Sequence, residues 1–298
     1  NNCTLSSNTA YEGGGAYRGR LNDCTLTANS AHSDGGGAYV STLNNCVLIG
    51  NSASYGGGAA WGTLHHCTLT ANSATNFGGG AYFSGLDNCI VYYNTAAGRP
   101  NRPNYEQSSL NYSCTTPLPL TGSGNITNEP RFVSLTGGDL RLHADSPCIN
   151  AGHNPYPYAP GSTDLDGDPR IAGGTVDMGA YEFQSPASLL SYAWLQQYGL
   201  PTDGSADHTD SDADGHNNWQ EWRCLTEPTD ALSALRLLSV APAGTGVAVT
   251  WQSVPGVSYF LECSPDLSAA SSFTTIATNV AAQGSATIYP HIHPPPGP

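Results

Sequence analysis

The chain has 298 residues and a formal charge of −14: lysine is absent, and nine arginines face 23 aspartates and glutamates. That balance excludes nucleic-acid binding, which needs cationic surface to replace phosphate counterions. No apolar run reaches the roughly 18 residues that a membrane-spanning helix needs.

The length allows two or three units, each with its own core, and the acidic balance suits calcium binding in an extracellular setting. The chain opens inside a repeat, without initiator Met or signal peptide, and so reads as a processed or truncated form of a secreted protein.

Cysteine recurs at Cys3, Cys24, Cys46, Cys67 and Cys89, opening the texts CTLSSNTA, CTLTANSA, CVLIGNSA, CTLTANSA and CIVYYNTA. Gly-Gly-Gly-Ala blocks begin between the copies at Gly13, Gly35, Gly56 and Gly78. A period near 21 residues with no helical stripe predicts a stacked β-solenoid, one repeat per coil. The Cys and the residue two later (Cys3/Leu5 to Cys89/Val91) alternate on one face, so that face points inward.

Nine cysteines suggest disulfides in an exported protein. In register they instead form a ladder of small, nearly apolar side chains, with a metal or redox array as the alternative. Cys114 and Cys148 are expected to continue the ladder, while Cys224 and Cys263 lie in later segments. Asn8, Asn29, Asn51, Asn72 and Asn94 mark a repeated corner, where Asn can turn left-handed and pass amide bonds between coils. A second strand is expected to close each coil on Leu21, Leu43, Leu64 and Leu86.

Arg18, Val40, Trp61 and Phe83 should point outward, with Tyr11 and Tyr55 in the loops before the glycines. Such a strip could stack on sugars, pack on a partner, or pack on the chain's own later part. The outward side of the Cys strand runs Thr4/Ser6, Thr25/Thr27, Val47/Ile49, Thr68/Thr70 and Ile90/Tyr92. A Thr-x-Thr array can bind ice, but two coils interrupt this one, and the β propensity of threonine accounts for the rest.

From Gly98 to Pro130 the period is lost in an insertion or a set of elongated loops, and coils are expected to resume at Phe132, Leu140–Leu142 and Cys148–Ile149. Asp164, Asp166 and Asp168 could bind calcium or form a turn paired with Arg170, and Val176–Phe183 reads as the terminal strand. The sharpest chemical signal is Asp210, Asp212, Asp214, Gly215 and Glu221, which satisfies the D-x-D-x-D-G-x5-E calcium loop. Three carboxylates, the His216 carbonyl, a bidentate Glu221 and Asn218 through water would supply the oxygens that a hard cation needs. Asp203, Asp207 and Asp230 are weaker candidates for a second ion. Short helices are expected at Leu189–Tyr198 and from Trp219, and residues 235–290 alternate strands and turns before HIHPPPGP.

GGGA followed by L-x-x-N, as in Leu5-Ser-Ser-Asn8, is similar to the repeats of chlamydial polymorphic outer-membrane proteins. DLRLHADSPCINAG (139–152) with TDLDGDPRIAGGTVDMGAYEF (163–183) resembles the choice-of-anchor Q β-helix proteins of bacteria. That resemblance implies a right-handed parallel β-helix over residues 1–185 of a secreted or surface-anchored protein, with no established reaction. Residues 186–232, expected as a helix–calcium loop–helix linker, resemble dockerin and thrombospondin type 3 calcium repeats. Residues 233–298 resemble a fibronectin-III-like β-sandwich without its last strand.

The fold class is therefore all-β, and the expected role is a non-catalytic extracellular structural or adhesive protein. Its uncapped coil end and open sandwich edge suggest head-to-tail self-association into filaments. The alternatives are a carbohydrate-binding module with glycan or cell-surface partners, and a lyase- or hydrolase-like β-helix enzyme. The last would lack lysine and has few repeat carboxylates (Glu12, Asp23, Asp34, Asp87), leaving Arg99 and Arg102 as the only place to seek a base.

Overall fold

The computed structural model of the chain describes residues 1–154, 162–244, 246–264 and 273–291. It divides into two compact units, Asn1–Ala206 and Asp207–Pro298.

The first unit is a parallel β-solenoid of about five turns. Each regular coil carries four short strands, not the two expected from the sequence, and they stack coil on coil into four parallel sheets. The reason is one left-handed backbone residue at each of four corners. The third coil, for example, turns at Asn45 (φ 50°), Gly50 (φ 64°), Gly56 (φ 61°) and Trp61 (φ 56°). At the Asn corner the left-handed residue is the one before the Asn: Ser7, Ala28, Gly50, Ala71 and Tyr93. The glycine triplet is demanded by contact as well as by φ. A Cβ on Gly57 would lie 2.2 Å from the Ser73 carbonyl oxygen of the next coil.

Inside, Leu26, Leu48, Leu69, Cys46, Cys67 and Cys89 are fully buried with Leu43, Leu64 and Leu86 in one core. Each ladder thiol donates to the carbonyl two residues earlier, as Cys46 Sγ does to Asn44 O at 3.1 Å. The asparagines form a continuous amide ladder. Asn51 Nδ2 donates to Asn72 Oδ1 and to Leu26 O, both at 2.9 Å, while Asn51 Oδ1 accepts from Asn29 N.

The solenoid does not stop at Gly98. Ala81 pairs with Tyr105, Leu86 with Leu110 and Ile90 with Cys114, so the fifth coil runs on around a longer loop. This register places Ser113, not Cys114, at the ladder position, where its Oγ bonds Asn111 O at 2.8 Å. Cys114 lies one residue further along, on the opposite face. It and Cys148 belong to a second core with Ile90, Met178 and Tyr192. The expectation that both continue the ladder is corrected: Cys114 leaves it by this one-residue shift, and Cys148 lies in a turn beyond the coils. Residues 116–128 then roof the stack: Asn125 bonds Leu110 O (2.8 Å) and Ser113 N (3.0 Å), and Tyr105 OH reaches Pro117 O (3.1 Å).

The later segment does not resume coiling. Phe132–Ser134 and Asp139–Leu142 pair antiparallel. Residues 162–183 form an irregular clasp, with no strand at Val176–Phe183. The clasp covers the outward face of the Cys-strand sheet: Ala180 packs with Val47 and Leu140, and its N–H donates to Thr68 Oγ1 at 3.0 Å. The interruptions at Val47/Ile49 and Ile90/Tyr92 thus lie on covered rungs, with the buried Thr68/Thr70 rung between them. Helix α1 (Tyr192–Gln197), N-capped by Ser191, adds Tyr192 and Ala193 to the second core.

The clasp is organised by buried acids. Asp164 accepts from the N–H groups of Asp166, Asp168 and Glu182. Asp177 accepts from Asn150 N and Phe183 N, and Glu182 from Ala172 N and Asp177 N. Arg170 is buried too, bonded to the carbonyls of Gly179 and Ala180 and to His66 Nδ1 rather than to an aspartate.

The second unit holds α2 (Asn218–Cys224) and two antiparallel sheets. One is three-stranded (Leu237–Ala243, Gly246–Gln252, Ala286–His291); the other pairs Ser258–Cys263 with Thr274–Ala281. Residues 265–272 and 292–298, including most of the expected open end at HIHPPPGP, lie outside the described residues.

Candidate metal centre

The loop 210–221 is shaped by its own carboxylates. Asp210 Oδ1 and Asp212 Oδ1 each accept from Asp214 N at 3.2 Å, and Asp210 Oδ2 accepts from Gly215 N at 2.9 Å. The turn needs left-handed residues at Ala213 (φ 63°) and Gly215 (φ 98°). As a result, one ligand oxygen from each of Asp210, Asp212 and Asp214 lies within 4.8 Å of the others. Helix α2 starts directly after, held by a reciprocal capping box between Asn217 and Gln220, and carries Glu221 in its first turn.

Glu221 is fully buried, and among the described residues neither carboxylate oxygen has a hydrogen-bond partner; Asp212 Oδ2 is in the same state. Burial, with the charges of Asp212, Asp214 and Asp210 added to it, pushes Glu221 up to about 7. Asp210 is held below the usual carboxylate range by the Gly215 N–H.

The remaining candidates are engaged otherwise. Asn218 accepts from Ser211 Oγ (3.0 Å) and donates to Thr209 Oγ1 (3.2 Å). Asp214 also bonds the His216 ring (3.2 Å) and Arg236 Nη2 (3.4 Å). The Arg236 contact lies 22 residues away along the chain, and no local pattern announces it. Asp203 is in the first unit and holds a turn with Ser205, Asp230 caps a turn through Leu232 N, and Asp207 is buried beside α2. Asp164, with three backbone N–H groups on its two oxygens, organises the clasp turn, leaving Asp166 and Asp168 exposed.

On the solenoid surface, Tyr11, Val40, Trp61 and Phe83 are exposed. Trp61 and Phe83 stack on each other at 4.3 Å and 9°, and Tyr55 stacks on Tyr82 at 5.1 Å. Arg18 sits over the Tyr17 ring. A sugar needs an open ring face, and in these pairs the facing surfaces are closed by the neighbouring coil's ring.

No protein-family model matches the chain, and neither a curated protein nor a solved structure is found similar to it.

Proposed function

We propose that the protein is a non-catalytic, calcium-binding β-solenoid of the extracellular structural or adhesive kind. The observation that carries this reading is the Glu221 carboxylate. A buried carboxylate without a hydrogen-bond partner among the described residues, in the field of three aspartates, is destabilising when it is ionised. A hard divalent cation supplies the missing partner for oxygens of this number and type. Asp210, Asp212, Asp214, Glu221 and the His216 carbonyl would hold it, and Asn218, already engaged, would not. Bound there, calcium neutralises the acidic loop and fixes it to the first turn of α2.

A structural role is supported by the amide ladder, in which Asn29, Asn51 and Asn72 hydrogen-bond from coil to coil. Asp177 and Glu182, the pair of buried acids, spend their oxygens on the backbone N–H groups of Asn150, Phe183, Ala172 and Asp177. Coil-on-coil stacking at the roofed end would have to displace residues 116–128, so adhesion or self-association is expected to use lateral surfaces.

The test is calcium content and thermal melting of the full chain and of Glu221→Gln. We expect one ion per chain, a melting transition raised by several degrees with calcium, and at least tenfold weaker binding in the variant. Absence of binding, or equal binding by both proteins, removes the reading.

A further inference from the structure

The corner column Asn2, Asp23, Asn45, His66 and Asn88 places one left-handed residue on each of five coils. Three of its members hold the later chain. Asn45 Nδ2 donates to Thr163 O at 2.9 Å, and His66 Nδ1 accepts from Arg170 at 2.8 Å. Asn88 exchanges bonds of 2.7 and 2.9 Å with the His153 backbone. The other two, Asn2 and Asp23, open onto a groove of about 480 Å³. Its walls are Thr4 and Thr25 on the solenoid, and Thr163–Gly167 and Tyr181 on the clasp. These are the rungs of the Cys-strand sheet that the clasp leaves uncovered, and among the described residues their hydroxyls are unbonded, whereas the covered rungs carry Val47, Ile90 and a Thr68 whose Oγ1 accepts from Ala180 N.

The groove is in the size range of small-ligand sites. Among the described residues, the side-chain polar atoms of Asn2, Thr4, Thr25, Thr163, Asp166 and Tyr181 make no hydrogen bond, and Asp23 uses one oxygen, on Asn45. Hydroxyls and an amide both donate and accept, carboxylates accept from paired hydroxyls, and the Tyr181 ring with Leu165 adds an apolar wall. The open carboxylates of Asp23 and Asp166 repel an anionic ligand. We propose that this groove binds a neutral, hydroxyl-rich ligand, a segment of uncharged glycan.

The test is binding of the full chain to immobilised neutral oligosaccharides (glucan, xylan, mannan and galactan fragments), with polygalacturonate as the anionic counterpart. At least one neutral fragment should bind, and the Thr4→Val/Thr25→Val double variant should bind it at least tenfold more weakly. Valine already stands in register at Val47, so this variant should melt as the parent does; Asp23→Asn is the second, independent reduction. Chelating calcium should leave binding intact, because the groove lies within Asn1–Ala206; failure of the calcium reading and failure of this one are therefore separable. No binding to any neutral fragment, tighter binding to polygalacturonate, or a loss in Trp61→Ala without one in the threonine variant overturns the proposal.

Discussion

Asn51 serves two neighbouring coils with one side chain. Its removal leaves Asn29 N and one Asn29 Nδ2 hydrogen without an acceptor and takes a donor from Leu26 O, while Asn72 Oδ1 keeps the Asn51 N–H. Each buried group left unpaired costs about 1–3 kcal/mol, so Asn51→Ala is expected to lower unfolding stability by roughly 3 kcal/mol or more in urea titration. Cys67 is the contrasting case. Ser113 already occupies the ladder position and makes the same bond to the carbonyl two residues earlier, so Cys67→Ser should cost less than about 1.5 kcal/mol. Both columns were legible from the repeat itself. The left-handed residue beside each Asn was not, because Ser7, Ala28 and Tyr93 carry no preference for that conformation; the corner's hydrogen bonds impose it.

The clasp is the element that the sequence described least well. In sequence Val176–Phe183 reads as a terminal strand, yet tertiary packing and buried acids set an irregular path. Those acids give it a pH signature. Burial pushes Asp177 up to about 7, and burial together with the Asp177 charge pushes Glu182 up to about 9. Folded values above the unfolded ones mean that the fold favours the protonated acids. Their contribution is complete below about pH 4 and is lost as pH rises through those folded values.

His66 works in the opposite direction. Burial, and then Arg170, hold it well below its usual range, so its contribution is present above about 6.5 and lost as pH falls. Between pH 7 and 9 Glu182 is the acid of this group that remains to titrate. The solenoid's melting temperature should therefore decline over that interval, and less so in Glu182→Gln. Parallel profiles for the two proteins count against this account.

At the scale of the whole molecule, the division into Asn1–Ala206 and Asp207–Pro298 predicts that calcium acts selectively. In hydrogen exchange, added calcium should protect α2 and the loop before it while leaving the amide ladder of the coils unchanged. Protection spread equally over both units would contradict that division. By itself the sequence determined the coil period, the inward leucines and cysteines, the amide corner and the spacing of the acidic loop. Each of these is local or repeats at a fixed interval, and a repeat in parallel register brings like residues together whatever else the chain does. Tertiary structure alone decided the one-residue shift that moves Cys114 off the ladder, the roof over the last coil, the clasp on the Val47 and Ile90 rungs, and the unpaired burial of Glu221. These depend on segments distant in the chain competing for the same surface, and no periodicity encodes which of them covers it.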